Sequence, residues 1–228
     1  MTTDSQIPPS VPPSAVPPVA PKKPNQFVRI GIGCLGLIVL GCVAIGGLAT
    51  FQNWQQDQNY ATAHAAYLNA DCASAFVTLR KVADGDPGTK DRDVARKAEA
   101  ELQECQVMLD TDTLSQQGKA GDAVLGYSQF VTKYDKSPLM DLALSKGQEL
   151  ASKSTPEALA SVDFCQSLPD IEGLKFITTP DTTLPPLLNA CGQAFEEAKN
   201  FSDAATYYAR FRDEYPDHSL AQEVQDSY

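Results

Sequence analysis

From residue 52 onward, apolar residues recur every three or four positions and nowhere sustain a two-residue alternation, which predicts amphipathic helices rather than strands. In "LLNACGQAFEEAKNFSDAATYYARFRDEYPD" (187–217), Leu188, Cys191, Gly192 and Phe195 fall on one face of a first helix. After the turn "KNFS", Ala204, Tyr208 and Phe211 fall on one face of a second. The second helix has counterparts. "DAATYYARFRDEY" (203–215) and "DAVLGYSQFVTKY" (122–134) share Asp, Ala, Tyr, Phe and Tyr at equivalent positions. "DCASAFVTLRKVA" from Asp71 keeps the apolar spacing at Phe76 and Leu79, and "EALASVDFCQSLP" from Glu157 keeps it at Ala158, Val162 and Cys165. A single helix pair buries little apolar surface, so four related pairs in succession predict a stacked array in which each covers the next.

Two earlier stretches have other patterns. Residues 30–49, "IGIGCLGLIVLGCVAIGGLA", carry no charge. Twenty residues rising about 1.5 Å each span a bilayer's hydrocarbon core, so a transmembrane helix over 27–51 is expected, with Trp54 at headgroup depth. Lys22, Lys23 and Arg29 precede the run and the next basic residue is Arg80, which puts the N-terminus in the cytoplasm and 52–228 outside it. The preceding tail is too long and proline-rich, and the apolar run too long, for a cleaved secretory signal. "VLGC", ending at Cys42, leaves a lipoprotein anchored at that cysteine as an alternative, although the residues after it are still apolar. The tail, residues 1–26, cannot build a core and reads as a disordered stub in extended polyproline conformations. Its P-x-x-P spacings, such as Pro9 to Pro12, also fit a ligand for a proline-recognising domain.

The 187–217 unit resembles the tetratricopeptide repeat. Leu188 stands where that repeat has its first aromatic, Cys191 where it has Leu, and Gly192 matches its Gly. Phe195, Ala204, Tyr208 and Pro216 come at the repeat's spacing, with Phe211 on the same face. The 122–134 helix keeps Ala123, Tyr127 and Phe130, but its leading helix lacks the Gly, and extra residues near 86–103 and 171–184 break the period. The resemblance covers roughly 53–218 and implies an all-α domain of antiparallel helix pairs. It implies a non-catalytic scaffold whose first helices line a groove for a protein or peptide partner. In the well-matched unit Asn189, Gln193 and Glu196 would face that groove.

Charge narrows the partners. Residues 52–228 hold 15 Lys and Arg against 28 Asp and Glu, which disfavours nucleic acid. Cys72, Cys105, Cys165 and Cys191 make an even number on the oxidising side of the expected topology. Cys72 and Cys105 lie in successive helices either side of a turn near Pro87, and Cys165 and Cys191 either side of a loop expected over 169–184. Such positions can face each other in antiparallel pairs. Of the three connectivities, 72–105 with 165–191 distorts the array least. Buried free thiols acting as small apolar residues are the alternative. No close Cys or His pair supplies a metal site, and no cofactor is expected.

The two histidines, His64 and His218, sit in no nucleophile or metal motif, and no phosphate-cradling loop occurs. "NFS" at Asn200 is a glycosylation sequon in an inter-helix turn. The expectation is a non-enzymatic, membrane-anchored scaffold whose domain binds a protein partner within an envelope complex, the bilayer being contacted through 27–51. An accessory subunit of an envelope enzyme is the alternative.

Overall fold

The computed structural model describes residue 47, residues 50–85 and residues 92–226, apart from the side chains at 223, 225 and 226. The chain divides into two compact units, Met1–Leu48 and Ala49–Tyr228, and the helical array forms the second. The expected tail and nearly all of the expected membrane helix, 27–51, lie outside the described residues. Among those described, no helix is long and apolar enough to cross a membrane.

Every regular element described is a helix, in agreement with the all-α expectation. The first, α1, runs over 50–68 and buries Gln56, Ala63 and Tyr67 along one side. It ends where Ala70 turns left-handed (φ 60°), and Asp71 N–H then reaches back to Ala66 O at 2.9 Å. Asp71 starts the next helix by accepting Ser74 N–H at 3.0 Å, satisfying a donor the first turn leaves open. That helix, α2 (Cys72–Asp84), buries Cys72, Ala75, Leu79 and Val82 and stops at Gly85, φ 49°. The longest helix, α3 (Asp93–Gln116), turns at Gly118 into α4 (Ala120–Lys133), and α5 (Met140–Lys153) comes next. Each of α2 to α4 packs on the helix after it.

The fourth expected pair does not form as one continuous second helix. The stretch from Glu157 is broken into α6 (Pro156–Leu159) and α7 (Val162–Gln166), succeeded at once by α8 (Leu168–Gly173). The cause is local. Thr155 caps α6 through Ala158 N–H, and Ser161 caps a fresh start through Phe164 N–H. The loop expected over 169–184 is also partly helix. Besides α8, it contains the first turn of α9 (Pro180–Glu197), whose leading proline lacks a donor that would go unused there anyway. The segment also feeds the core: Ile171 and Phe176 are fully buried and Leu184 nearly so. After α9 come α10 (Phe201–Glu214), capped by Asn200, and α11 (Ala221–Asp226).

The heart of the core lies around α4 and α9, with α6 and α7 packed on both. Phe130, Phe164, Phe176, Phe195 and Phe211 are all fully buried there. The α1–α3 end is built from smaller residues, Ala63, Ala75, Ala95 and Ala98 among them. Two disulfides cross-link neighbouring helices: Cys72–Cys105 joins α2 to α3 with Cα atoms 5.1 Å apart, and Cys165–Cys191 joins α7 to α9 at 5.6 Å. These are the two pairings favoured from the sequence.

Candidate functional site

One groove runs between α3 and α5, and its centre is an ion pair. Lys146 of α5 places its ammonium 2.8 and 2.7 Å from the two carboxylate oxygens of Asp112 on α3. Tyr127 of α4 donates its hydroxyl to the same carboxylate from below. Burial, then the Asp112 hydrogen bond, raises the Tyr127 hydroxyl's pKa, so it stays a donor across the ordinary pH range. On one side of the pair lies a cavity of about 320 Å³ walled by Ser115, Gln116, Glu149, Leu150 and Lys153. On the other, Met108, Leu109 and Leu142 meet the α1–α2 turn at Ala70–Ala73 in a smaller cavity of about 130 Å³. Asp112 and Lys146 line both, so the two cavities adjoin across the ion pair as one trough, polar-walled on the Gln116 side and apolar at Met108, Leu109 and Leu142.

Further along the same side, α1 meets α3 through a polar seam. Tyr60, His64 and Tyr67 stand one helical turn apart on α1, with Tyr60 and His64 rings stacked at 5.3 Å. Tyr60 donates to Glu101 Oε1 at 2.6 Å, and His64 Nδ1 lies 2.8 Å from that oxygen. Tyr67 donates to Glu104 Oε2 at 2.5 Å, and Ser137 donates to it at the same distance. Burial and these carboxylates raise the pKa values of both phenols. Glu101 is about nine-tenths buried, and its second oxygen has no hydrogen-bond partner among the described residues.

The residues assigned to a groove from the sequence lie on α9 and line neither of these cavities. Asn189 is buried, 7% exposed, because α9 is enclosed on several sides over 184–192, so it lines no open surface. Gln193 and Glu196 are half-buried on the same helix. Tyr127, Asp112 and Lys146 were not singled out as a group, because Asp112 stands 15 and 34 residues from its two partners. A weaker local signal existed for the seam: Tyr60, His64 and Tyr67 share one helical face, as do Glu101 and Glu104.

Other polar ties are internal. Arg210 of α10 takes both oxygens of Glu172 on α8 at 2.9 Å each, and Glu214 at 2.8 Å. Tyr207 donates to the Cys165 carbonyl oxygen beside the second disulfide. The sequon residue Asn200 is occupied as a helix cap, its amide nitrogen 2.6 Å from Asp203. Among the described residues no group of three or more His, Cys, Asp and Glu is placed to hold a metal.

In comparisons with known proteins, no family model, no curated protein and no solved structure matches the chain. The likeness to the tetratricopeptide repeat therefore rests on the residues of 187–217 and on the contacts they make. Within that unit Gly192 lies against Tyr208. Between α3 and α4, Gly126 makes a similar close approach, where a Cβ would come within 2.7 Å of Thr111 Oγ1.

Proposed function

We propose that this chain is a membrane-anchored helical-repeat scaffold that binds a protein or peptide partner outside the cytoplasm, within an envelope complex. The trough between α3 and α5 is the contact surface. The single observation that carries the reading is that trough: two adjoining cavities with Leu109, Leu142 and Leu150 half-exposed along them and an ion pair between. Apolar walls give area to bury, and the fixed charges select register, which suits an extended peptide or a partner helix. The uncharged run 30–49 and the basic residues before it support the anchor and its orientation. The tetratricopeptide likeness of 187–217 supports a scaffold rather than a catalyst.

The test is site-specific photocrosslinking in the full-length protein in its own membrane. A crosslinker at Gln116, on the trough's rim, should give one discrete protein adduct, and one at the exposed Val77 of α2 should not. Replacing Lys146 with Glu, which sets two carboxylates against each other, should abolish that adduct. Identical products from Gln116 and Val77 would reject the trough as the contact surface.

A further inference from the structure

One end of this domain differs in charge from the rest, and it is the end from which the chain leaves for the apolar run. The start of α1, the end of α2 and the start of α3 meet at one end. Gln56 donates its side-chain amide to Val82 O at 3.0 Å, tying α1 to α2. Arg92 donates to Asn53 O and Gln56 Oε1 at 3.0 Å and grips Asp57 at 2.9 and 3.1 Å, tying α3 to α1. Around this junction the described residues 80–85 and 92–97 carry five basic side chains, Arg80, Lys81, Arg92, Arg96 and Lys97. Asp84, Asp93 and the adjoining Asp57 are the acidic ones. Over 98–228 the balance is nine basic residues against 22 acidic. Over 80–97 as a whole the sequence holds six basic and four acidic residues, so this end escapes the acidic balance of the rest.

At the same end Phe51 and Trp54 are 57% and 58% exposed, their ring centroids 6.1 Å apart. Two such rings on a surface helix cost free energy in water unless something covers them. Lys81, Lys97 and Arg96, the last paired with Asp93, are exposed at this end, and Gln52, Gln55 and Asn59 line a cleft with Lys81 and Asp84. The uncharged run ends at Ala49, two residues before Phe51. A group that close in sequence to the end of a membrane span lies at headgroup depth.

We propose that this end of the domain is a lipid-docking face. Phe51 and Trp54 lie among the headgroups, and Lys81, Arg96 and Lys97 contact the phosphates of an anionic bilayer. The proposal rests on the anchored topology under Proposed function and adds a surface to it. Aromatic rings fit the interface because one part of the ring is apolar and the rest tolerates water. The cations supply the part of the attraction that salt should weaken, since screening sets in within about 8 Å at physiological ionic strength. The 22 acidic residues beyond the base are repelled by the same surface, so the domain stands on this end with the α3–α5 trough free for a partner.

The experiment uses the full chain reconstituted into nanodiscs, either of phosphatidylcholine alone or of phosphatidylcholine with phosphatidylglycerol. Trp54 is the only tryptophan, so its emission reports one depth. Bromolipid quenching of Trp54 in both kinds of disc tests the anchor. Amide hydrogen exchange over 80–85 and 92–97 tests the docking face. Exchange there should slow several-fold in the anionic discs only, and high salt or the double variant K81E/K97E should restore the faster rate. Equal exchange in both lipids with Trp54 still quenched would overturn the docking face and leave the anchor standing. A chain that fails to enter the discs would remove the anchor and this proposal with it. Protection that appears only after adding membrane extract would assign the face to a protein instead of lipid.

Discussion

A methyl group on Gly192 of α9 would fall inside the ring of Tyr208 on α10, so these helices touch at a point where neither can add an atom. Tyr208 is 2% exposed, so its ring has little room to give way. Gly192→Ala is therefore an overpacking change and should cost about 1–3 kcal/mol. In a domain of this size that lowers the unfolding temperature by about 2–4 °C per kcal/mol. Gly173→Ala is the control, because nothing lies within 4 Å of a Cβ there. Thermal melts of the two variants check it. Equal melting for both would show that α9 and α10 do not meet at this glycine.

That contact was legible in the sequence because both of its residues belong to one compact unit with a fixed spacing. The cysteine pairing was legible for a related reason: two helices joined by a turn bring their flanks together wherever the loop goes. The 168–184 segment was not legible. Ile171, Phe176 and Leu184 reach the core from α8, the connecting loop and α9, so their spacing of five and eight matches neither a helix nor a strand. The break before Ser161 was equally hidden, since a serine in an apolar helical pattern reads as a surface position until its hydroxyl is seen capping Phe164. Glu101 and Glu104 look like a solvated face along α3. They turn inward only because α1 presents Tyr60 and Tyr67 across 41 and 37 residues of chain.

The disulfides should hold the two ends of the array independently. Cys72–Cys105 closes a separation of 33 residues and Cys165–Cys191 one of 26, which corresponds to about 3.5–4 kcal/mol each in the chain-entropy model. The α1–α3 end buries four alanines and none of the fully buried phenylalanines, so it has less packing to fall back on. Replacing Cys72 and Cys105 together should melt that end before the rest. Hydrogen exchange over 72–116 should rise there while 187–214 stays protected. The double Cys165/Cys191 replacement should loosen α7 and α9 instead. Peptide mapping of the non-reduced protein checks the pairing itself, and a 72–165 link would refute it.

Four tyrosines should strongly resist alkaline titration, and Tyr215, raised by burial and then by Glu214, should titrate late as well. Tyr60, Tyr67 and Tyr127 have raised hydroxyl pKa values, from burial first and then from the carboxylates that accept their hydrogen bonds. Tyr207, buried against the Cys165 carbonyl, is pushed up to about 12. The folded chain thus holds these protons more tightly than the unfolded chain, whose phenols titrate near pH 10. Their contribution to stability is complete below about pH 10 and is lost as the pH rises through the folded-state values, beginning with Tyr207 near 12. Ultraviolet titration of the native protein should leave at least these four of the eight tyrosines out of the ordinary step and recover them on unfolding. Tyr67→Phe should remove one of the delayed phenols. A single ordinary step counting all eight would contradict the hydroxyl–carboxylate seam.

Asn189 separates the groove first expected on α9 from the trough found on α3 and α5. Its side-chain oxygen is buried with no hydrogen-bond partner among the described residues, between Leu188 and Ala190 on a helix enclosed over 184–192. A carbonyl in that position has given up water and gained nothing, which costs about 1–3 kcal/mol. Leucine branches at the same carbon and carries no polar atom, so Asn189→Leu should leave the fold intact and raise the unfolding temperature. If Asn189 instead faced a partner, the same change would cost nothing in the free chain and weaken binding. Pairing the melt with the Gln116 crosslink distinguishes these outcomes in one variant. A higher melting temperature with an unchanged adduct is the expected result, and an unchanged melting temperature with the adduct lost would return the binding surface to α9.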